Sequence, residues 1–305
     1  MDKIKETLHQ LFDDFQNFED KGQKATYIPE LAHIDEDLFG VSLSCLDGMQ
    51  ISLGDATTPF SLQSISKVLS LVLAYNILGE DLWKRVDVEP SGDTFNSLIL
   101  LELEMGIPRN PFINAGAIVV ADILISHLKN PEEVFLKFIQ ELAQDTSIQY
   151  DLNIFHSEKS VAYRNYSLIN LMKSFGNIHN DIDKVMDLYF MMCSVSITCQ
   201  QLSKAFLFFA NDGTHPLTQQ QILIPSRNRR INAIMQLCGF YDEAGEFAYR
   251  VGLPGKSGVG GGIIAIHPGL YAVTVFSPKL NKKGNSTKGM AFLERLTSEL
   301  NNSIF

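Results

Sequence analysis

Cysteine and tryptophan are scarce in this chain, with four and one in 305 residues. Cys45, Cys193, Cys199 and Cys238 stand in apolar surroundings without a CxxC pair, and no His/Cys cluster has zinc spacing. That excludes a zinc ribbon and leaves buried free thiols as the expectation. No window reaches the ~18 consecutive apolar residues of a membrane-spanning helix, so no membrane partner is expected. Basic stretches are missing too: 25 Lys and Arg stand against 35 Asp and Glu, a formal charge of −10. A nucleic-acid scaffold or an anionic-membrane binder needs basic stripes, and both are excluded. The one basic cluster, "RNRR" from Arg227 to Arg230, reads as a solvated face or a subunit contact. The opening "MDKIKETLHQLFDDFQNF" lacks the unbroken apolar core and small-residue cleavage site of a signal peptide, so the expected location is the cytoplasm. Low-complexity linkers and internal repeats are absent as well.

What the chain does have is hydrophobic residues in quantity, 45%, enough for one large domain. Ile4, Leu8, Leu11, Phe12, Phe15 and Phe18 make a helical stripe in the opening segment. "FGVSLSCLDGMQISLGD", Phe39 to Asp55, alternates around a "DG" turn and reads as a hairpin with one face buried. From Leu71 to about Phe209 the apolar spacing is mostly helical, as in "INAGAIVVADILISHL" and "QLSKAFLFFANDG". "GGIIAIHPGLYAVTVFSP" is a second hairpin, and "KGMAFLERLTSELNN" an amphipathic closing helix. The economical arrangement is an α+β fold: an antiparallel sheet from the N- and C-terminal hairpins flanked by helices, plus a central all-helical lobe. Within one domain spanning 1–305, the α/β lobe is expected at approximately 1–75 and 220–305 and the helical lobe at approximately 76–219.

At the head of one apolar run, "LQSISK" places Ser64 and Lys67 three residues apart. On a helix such a pair shares a face, with Cβ atoms about 5–6 Å apart, so the lysine amine can lie beside the serine hydroxyl. A lysine in apolar surroundings loses proton affinity and can act as the base for a serine nucleophile. A serine at a helix start also presents a free N–H to a developing oxyanion. Ser-x-x-Lys occurs by chance in chains of this size, and "SHLK", Ser126 to Lys129, is a second copy at a helix end, read as structural. A further motif breaks the tie. "GLPGKSGVGGGI" is no phosphate-binding loop, since Arg250 stands where its first glycine belongs and a strand follows instead of a helix. Lys256-Ser257-Gly258 matches the K-[ST]-G that serves with S-x-x-K on an edge strand of penicillin-recognising serine enzymes.

With those motifs joined, the chain resembles the serine-dependent glutaminases of the β-lactamase-like superfamily. The resemblance runs from "YIPEL" at Tyr27 to "GNSTKG" at Gly284, through "EPSGDTFNS", "NPFINAGAI", "SEKSVAYRNY", "YFMMCS" and "CGFYDEAGEFAYRVGLPGKSGVGGGI". It implies a β-lactamase-like serine hydrolase fold, hydrolysis of L-glutamine to L-glutamate and ammonia, no metal or organic cofactor, and a homodimer or homotetramer. Carried over by residue, it makes Ser64 the nucleophile, Lys67 its base, Tyr241 the proton relay and Val259 the donor of a second oxyanion-hole N–H. Substrate would be held by Tyr27, Asn114, Glu158, Asn165 and Tyr189, together with Ser64, Tyr241 and Val259. Glutamine carries an ammonium, a carboxylate and a neutral amide, which suits one acid, Glu158, among neutral hydrogen-bonding groups. Each has an ordinary alternative: Asn114 as a helix cap, Glu158 as a first-turn acid, the tyrosines as core aromatics. Two other readings share the pocket: a penicillin-binding peptidase or β-lactamase-like hydrolase, and a catalytically silent glutamine-binding protein.

Overall fold

The computed structural model describes residues 2–91 and 98–305. Most of "EPSGDTFNS", from Gly92 onward, therefore lies outside the described residues. Strands are β1 (Gly40–Cys45), β2 (Gln50–Gly54), β3 (Phe60–Ser61), β4 (Gln149–Tyr150), β5 (Val195–Ile197), β6 (Gly255–Ser257), β7 (Gly262–His267) and β8 (Tyr271–Phe276). The helices begin with α1 (Asp2–Phe15), α2 (Ser66–Leu78), α3 (Leu98–Leu103), α4 (Asn114–His127), α5 (Pro131–Ala143) and α6 (Leu152–Ser160). They continue with α7 (Tyr163–Ser174), α8 (Ile182–Cys193), α9 (Cys199–Ala210), α10 (Pro225–Cys238), α11 (Ala244–Arg250) and α12 (Thr287–Leu300). None of the described helices is long and apolar enough to cross a membrane.

The main sheet has the order β2-β1-β8-β7-β6, every pairing antiparallel. Its two hairpins come from opposite ends of the chain and join where Val41 pairs with Val275. The first turns at Gly48, whose φ of 93° suits glycine. On one face Leu8, Leu11 and Phe15 of α1 and Phe292, Leu293 and Leu296 of α12 cluster with Val41, Leu43, Val273 and Val275. The first hairpin departs from the alternation reading of one buried face: β1 is buried along its whole length. α9 covers the second face, and the alternating serines Ser42 and Ser44 meet the Ser203 hydroxyl at 3.2 and 2.9 Å, which satisfies their polarity without solvent.

The larger core is built from α2, α4, α5, α8 and α9, with Ile118, Val119, Phe135, Phe190 and Phe206 fully buried. α2 and α4 have little amphipathic contrast, being apolar all round, as helices at the centre of a core are. A three-stranded sheet, β3-β5-β4, sits among these helices. Within it β5 leads out of α8, and the chain after β3 turns at once into α2, so α2 and α8 are brought side by side. Beside α4, Arg85 donates to the fully buried Asp122 carboxylate at 2.6 Å, and Asp122 also accepts from the His179 and Asn180 backbones.

Candidate active site

Ser64 lies in a single 3₁₀ turn, Gln63–Ile65, running directly into α2, rather than on the α-helix itself. Gln63 before it has a left-handed φ of 48°, and Tyr241 has one of 57°. Strained non-glycine backbone at both is held by packing, the pattern of a preorganised site. Gln63 is buried beside Glu158.

A pocket of about 310 Å³ opens over Ser64. Its wall includes Tyr27, Asn114, Glu158, Asn165, Tyr189, Tyr241 and Val259, all singled out from the sequence. Lys67 is not part of the wall: it is buried beneath, 1% exposed, and Nζ donates to Phe112 O at 3.2 Å and Asn114 Oδ1 at 2.7 Å. Asn114 in turn donates through Nδ2 to Asn165 Oδ1 at 2.9 Å. Asn114 is the first residue of α4 and not its cap, which is Ile113, so its side chain is committed to the site. Glu158 lies in the last turn of α6, where a carboxylate opposes the helix dipole; a first-turn role does not hold it there.

Burial drives the electrostatics. Desolvation pulls the Lys67 ammonium down to about 8, against the pull of Cys193 and Glu158. It lifts Glu158 to about 7, with Gln63 and Lys67 acting in the opposite direction. The Tyr241 phenol is raised to about 12 by burial, and hydrogen bonding with Ser64 and Ser257 holds it from going further. Lys256 is fully buried, donates to Ser257 O at 2.7 Å and lies 4.3 Å from the centre of the Tyr241 ring. Burial keeps its pKa well below that of a free lysine, with Lys67 adding to the effect.

β6 is the edge strand of the main sheet and passes the serine turn at close range. A Cβ on Gly260 would lie 2.6 Å from Ser61 O, so only glycine allows the approach. Between β6 and β7 the turn is closed by Gly258 N–H to Gly262 O at 2.9 Å and Gly261 N–H to Gly258 O at 3.0 Å. The N–H groups of Ser64 and Val259 have no hydrogen-bond partner among the described residues. Serine, amine, phenol and spare N–H donors around one cavity are the equipment of acyl transfer.

Sequence reasoning passed over Gln63, Arg164 and Cys193, which also line the pocket. Arg164 and Gln63 adjoin residues that were named, so their position was the available signal. Cys193 falls within the marker "YFMMCS", but only its apolar surroundings speak for it, and these read as a buried thiol; all four cysteines are free and buried.

This mixed α+β architecture, with antiparallel sheets and helices on both sides, is the β-lactamase-like fold of glutaminase structures, as the motifs implied. The glutaminase family profile matches residues 22–305, and the chain belongs to that family. It is 57% identical over 307 residues to a glutaminase of Saccharophagus degradans, covering 100% of both chains. It superposes with a TM-score of 0.94 and 34% identity on the solved structure of the probable glutaminase ybaS, covering 100% of this chain and 98% of that one. It also matches a Bacillus subtilis glutaminase solved as a covalent complex with 5-oxo-L-norleucine, with a TM-score of 0.87 and 30% identity over 98% of each chain.

Proposed function

We propose that this pocket hydrolyses the side-chain amide of L-glutamine to L-glutamate and ammonia through a γ-glutamyl ester on Ser64. The observation that carries the reading is a phenol hydrogen-bonded to Ser64 in a cavity with spare N–H donors and one buried acid, above a buried amine three residues along the chain that is held by Asn114 of the same cavity wall. Neutral Lys67 takes the Ser64 proton as Oγ attacks the amide carbon. The oxyanion is held by the N–H groups of Ser64 and Val259. Lys67 and Tyr241 pass the proton to the departing ammonia, and water activated by the same groups cleaves the ester. Glu158 pairs with the substrate α-ammonium, while Tyr27, Asn114, Asn165 and Tyr189 hydrogen-bond its remaining polar groups. Tyr27, 56% exposed, sits at the mouth. The Bacillus subtilis relative's covalent adduct with a glutamine-like ketone supports a covalent route.

We read residues 1–305 as one glutaminase domain, with the α/β lobe at approximately 1–75 and 220–305 and the helical lobe at approximately 76–219. The α9 helix, packed on the sheet, ties the two together. We expect it to act in the cytoplasm, as a homodimer or homotetramer, without a cofactor.

Ammonia release from L-glutamine tests the assignment. Ser64→Ala is expected to lower kcat by several orders of magnitude. Ser126→Ala should leave it unchanged, because the Ser126 hydroxyl only donates to Asp122 O and accepts from Asn180. Full turnover by Ser64→Ala, or a stable penicilloyl adduct at Ser64 after incubation with a penicillin, would rule out the glutaminase mechanism.

A further inference from the structure

A neutral lysine amine has two N–H bonds and one lone pair, arranged tetrahedrally with the Cε bond. Both N–H bonds of Lys67 are directed at carbonyl oxygens, Phe112 O and Asn114 Oδ1. The one direction left belongs to the lone pair. Which end of the Asn114 amide faces Lys67 is therefore decisive. Oδ1 accepts from the amine; turned over, the amide would point Nδ2 at the amine and donate into the lone pair that must receive the serine proton. Asn114 Nδ2 is instead engaged by Asn165 Oδ1 at 2.9 Å. Asn165 Nδ2, on the pocket wall, finds no acceptor among the described residues.

We propose that Asn165 is a positioning residue for the base: by accepting from Asn114 Nδ2, it locks the Asn114 amide with Oδ1 toward Lys67 and keeps the lysine lone pair free for the Ser64 proton. The proposal rests on the reading of Lys67 as the base. Substrate completes the relay from the other side, since an acceptor such as a carboxylate that takes Asn165 Nδ2 turns Asn165 Oδ1 toward Asn114. The amide chain thus runs from the substrate wall to the amine, through side chains that carry no charge. In the acylation step the Ser64 O–H bond breaks, its proton forms a third N–H bond on Lys67, and Oγ bonds to the acyl carbon as the carbonyl electron pair moves to oxygen. Other groups set the electrostatic background: Lys67 is faced by Glu158 from α6, Cys193 from α8 and Lys256 from β6. None of these fixes the direction of its lone pair.

The test is pre-steady-state acylation by 4-nitrophenyl acetate, an ester with neither an α-amino nor an α-carboxylate group, with Ser64→Ala as background. It reads Ser64 reactivity apart from glutamine recognition. Asn165→Ala should slow acylation at the alkaline plateau by roughly ten- to a hundred-fold, a part of the 10²–10⁴ that a positioned base supplies. Asn165→Asp keeps an acceptor for Asn114 Nδ2, so it should recover the plateau, with the rising limb moved to higher pH by the added negative charge. If Asn165→Ala acylates at the wild-type rate and pH profile while its KM for glutamine rises, Asn165 only holds substrate and the relay is wrong. Should the alanine variant not fold, a folded Asn165→Asp decides: a recovered plateau supports the relay, and a lost plateau refutes it. Ammonia release by the wild type is measured in parallel. A wild type that acylates at Ser64 but does not deamidate glutamine overturns the substrate assignment and leaves the relay standing.

Discussion

Lys67 and Glu158 are both buried, and burial moves them toward neutrality from opposite sides. For Lys67 the consequence is an amine that is partly neutral near physiological pH, as the proposed base role requires. With its pKa lowered to about 8, kcat/KM should rise with pH on an ionisation near that value. Lys67→Arg should lose acylation by at least two to three orders of magnitude, because guanidinium stays protonated. A pH–rate profile of the arginine variant that kept the wild-type limb would exclude the base role. Folding stability follows the same proton: the folded pKa lies below the unfolded one, so the cost of burying the ammonium is relieved as pH rises from about 8 to 10.5.

Glu158 has the reverse sign. Its folded pKa of about 7 lies above the unfolded one, so stability falls as pH rises from 4.5 to 7, where the unfolded carboxyl ionises while the buried one keeps its proton. Glu158→Gln removes that penalty. At pH 8 the variant should therefore be more stable than wild type, by on the order of 1–3 kcal/mol, while kcat/KM for glutamine drops by tens to thousands of fold. Thermal melts at pH 5 and 8 check the first claim, since the gain should vanish at the lower pH; glutamine kinetics check the second. A variant equally active and no more stable would remove Glu158 from the ammonium site.

At the scale of elements, the edge strand and the serine turn depend on one another. Leu62 N–H reaches Val195 O at 2.8 Å, tying the serine turn to β5, and the β6–β7 turn leans against Ser61 and Leu62 through glycines. Gly260→Ala puts a methyl group where Ser61 O already sits. The turn must retreat by several tenths of an ångström and carries the Val259 N–H with it. On the proposal that this N–H holds the oxyanion, weakening it costs up to 10²–10³ in kcat, so a loss of roughly ten-fold or more with little change in KM is expected. A KM effect alone would mean that the turn serves binding and not the oxyanion.

The hairpins and most of the helices were legible because each obeys its own period over many residues. The strands β3, β4 and β5 were not, being two or three residues long and flanked by helical pattern, too short for alternation to register. At the site, Ser64 and Lys67 could be reached through two short motifs, and Val259 only through the family resemblance. The contact that orients Lys67 could not, because Asn114 and Asn165 lie on different helices and nothing in their local sequence specifies which amide atoms meet. Gln63 was hidden for a related reason: its left-handed backbone is imposed by packing around it, against its own preference.

The whole molecule holds its helical core with few buried charges, and the Arg85–Asp122 pair is the clearest of them among the described residues. Burial by itself would raise the Asp122 pKa, but hydrogen bonds from Arg85, Asn180 and His179 outweigh it and hold the carboxyl below its ordinary value. Its stabilising contribution is present above the unfolded pKa and is lost as pH falls through the folded one. Arg85→Ala leaves the carboxylate without its countercharge, at a cost of roughly 3–5 kcal/mol at neutral pH. Losing that hydrogen bond raises the folded pKa of Asp122, so the deficit should shrink as pH falls through the carboxylate range. Urea denaturation at neutral and at acid pH measures it; a deficit independent of pH would assign the loss to packing rather than to charge.

The pairing of β1 with β8 has a consequence for how the protein is made. During synthesis β1 and β2 are made more than two hundred residues before β8, the strand that must lie beside β1. Until then β1 offers an unpaired edge of backbone groups and an apolar face meant for α12, the last helix. The nascent chain thus carries a sticky strand until β8 is made, while the central helices, whose contacts are more local, can already collapse. α1 is made before the hairpin and packs on the same face of the sheet, through Leu8, Leu11 and Phe15. It can therefore cover part of that face before β8 and α12 are made.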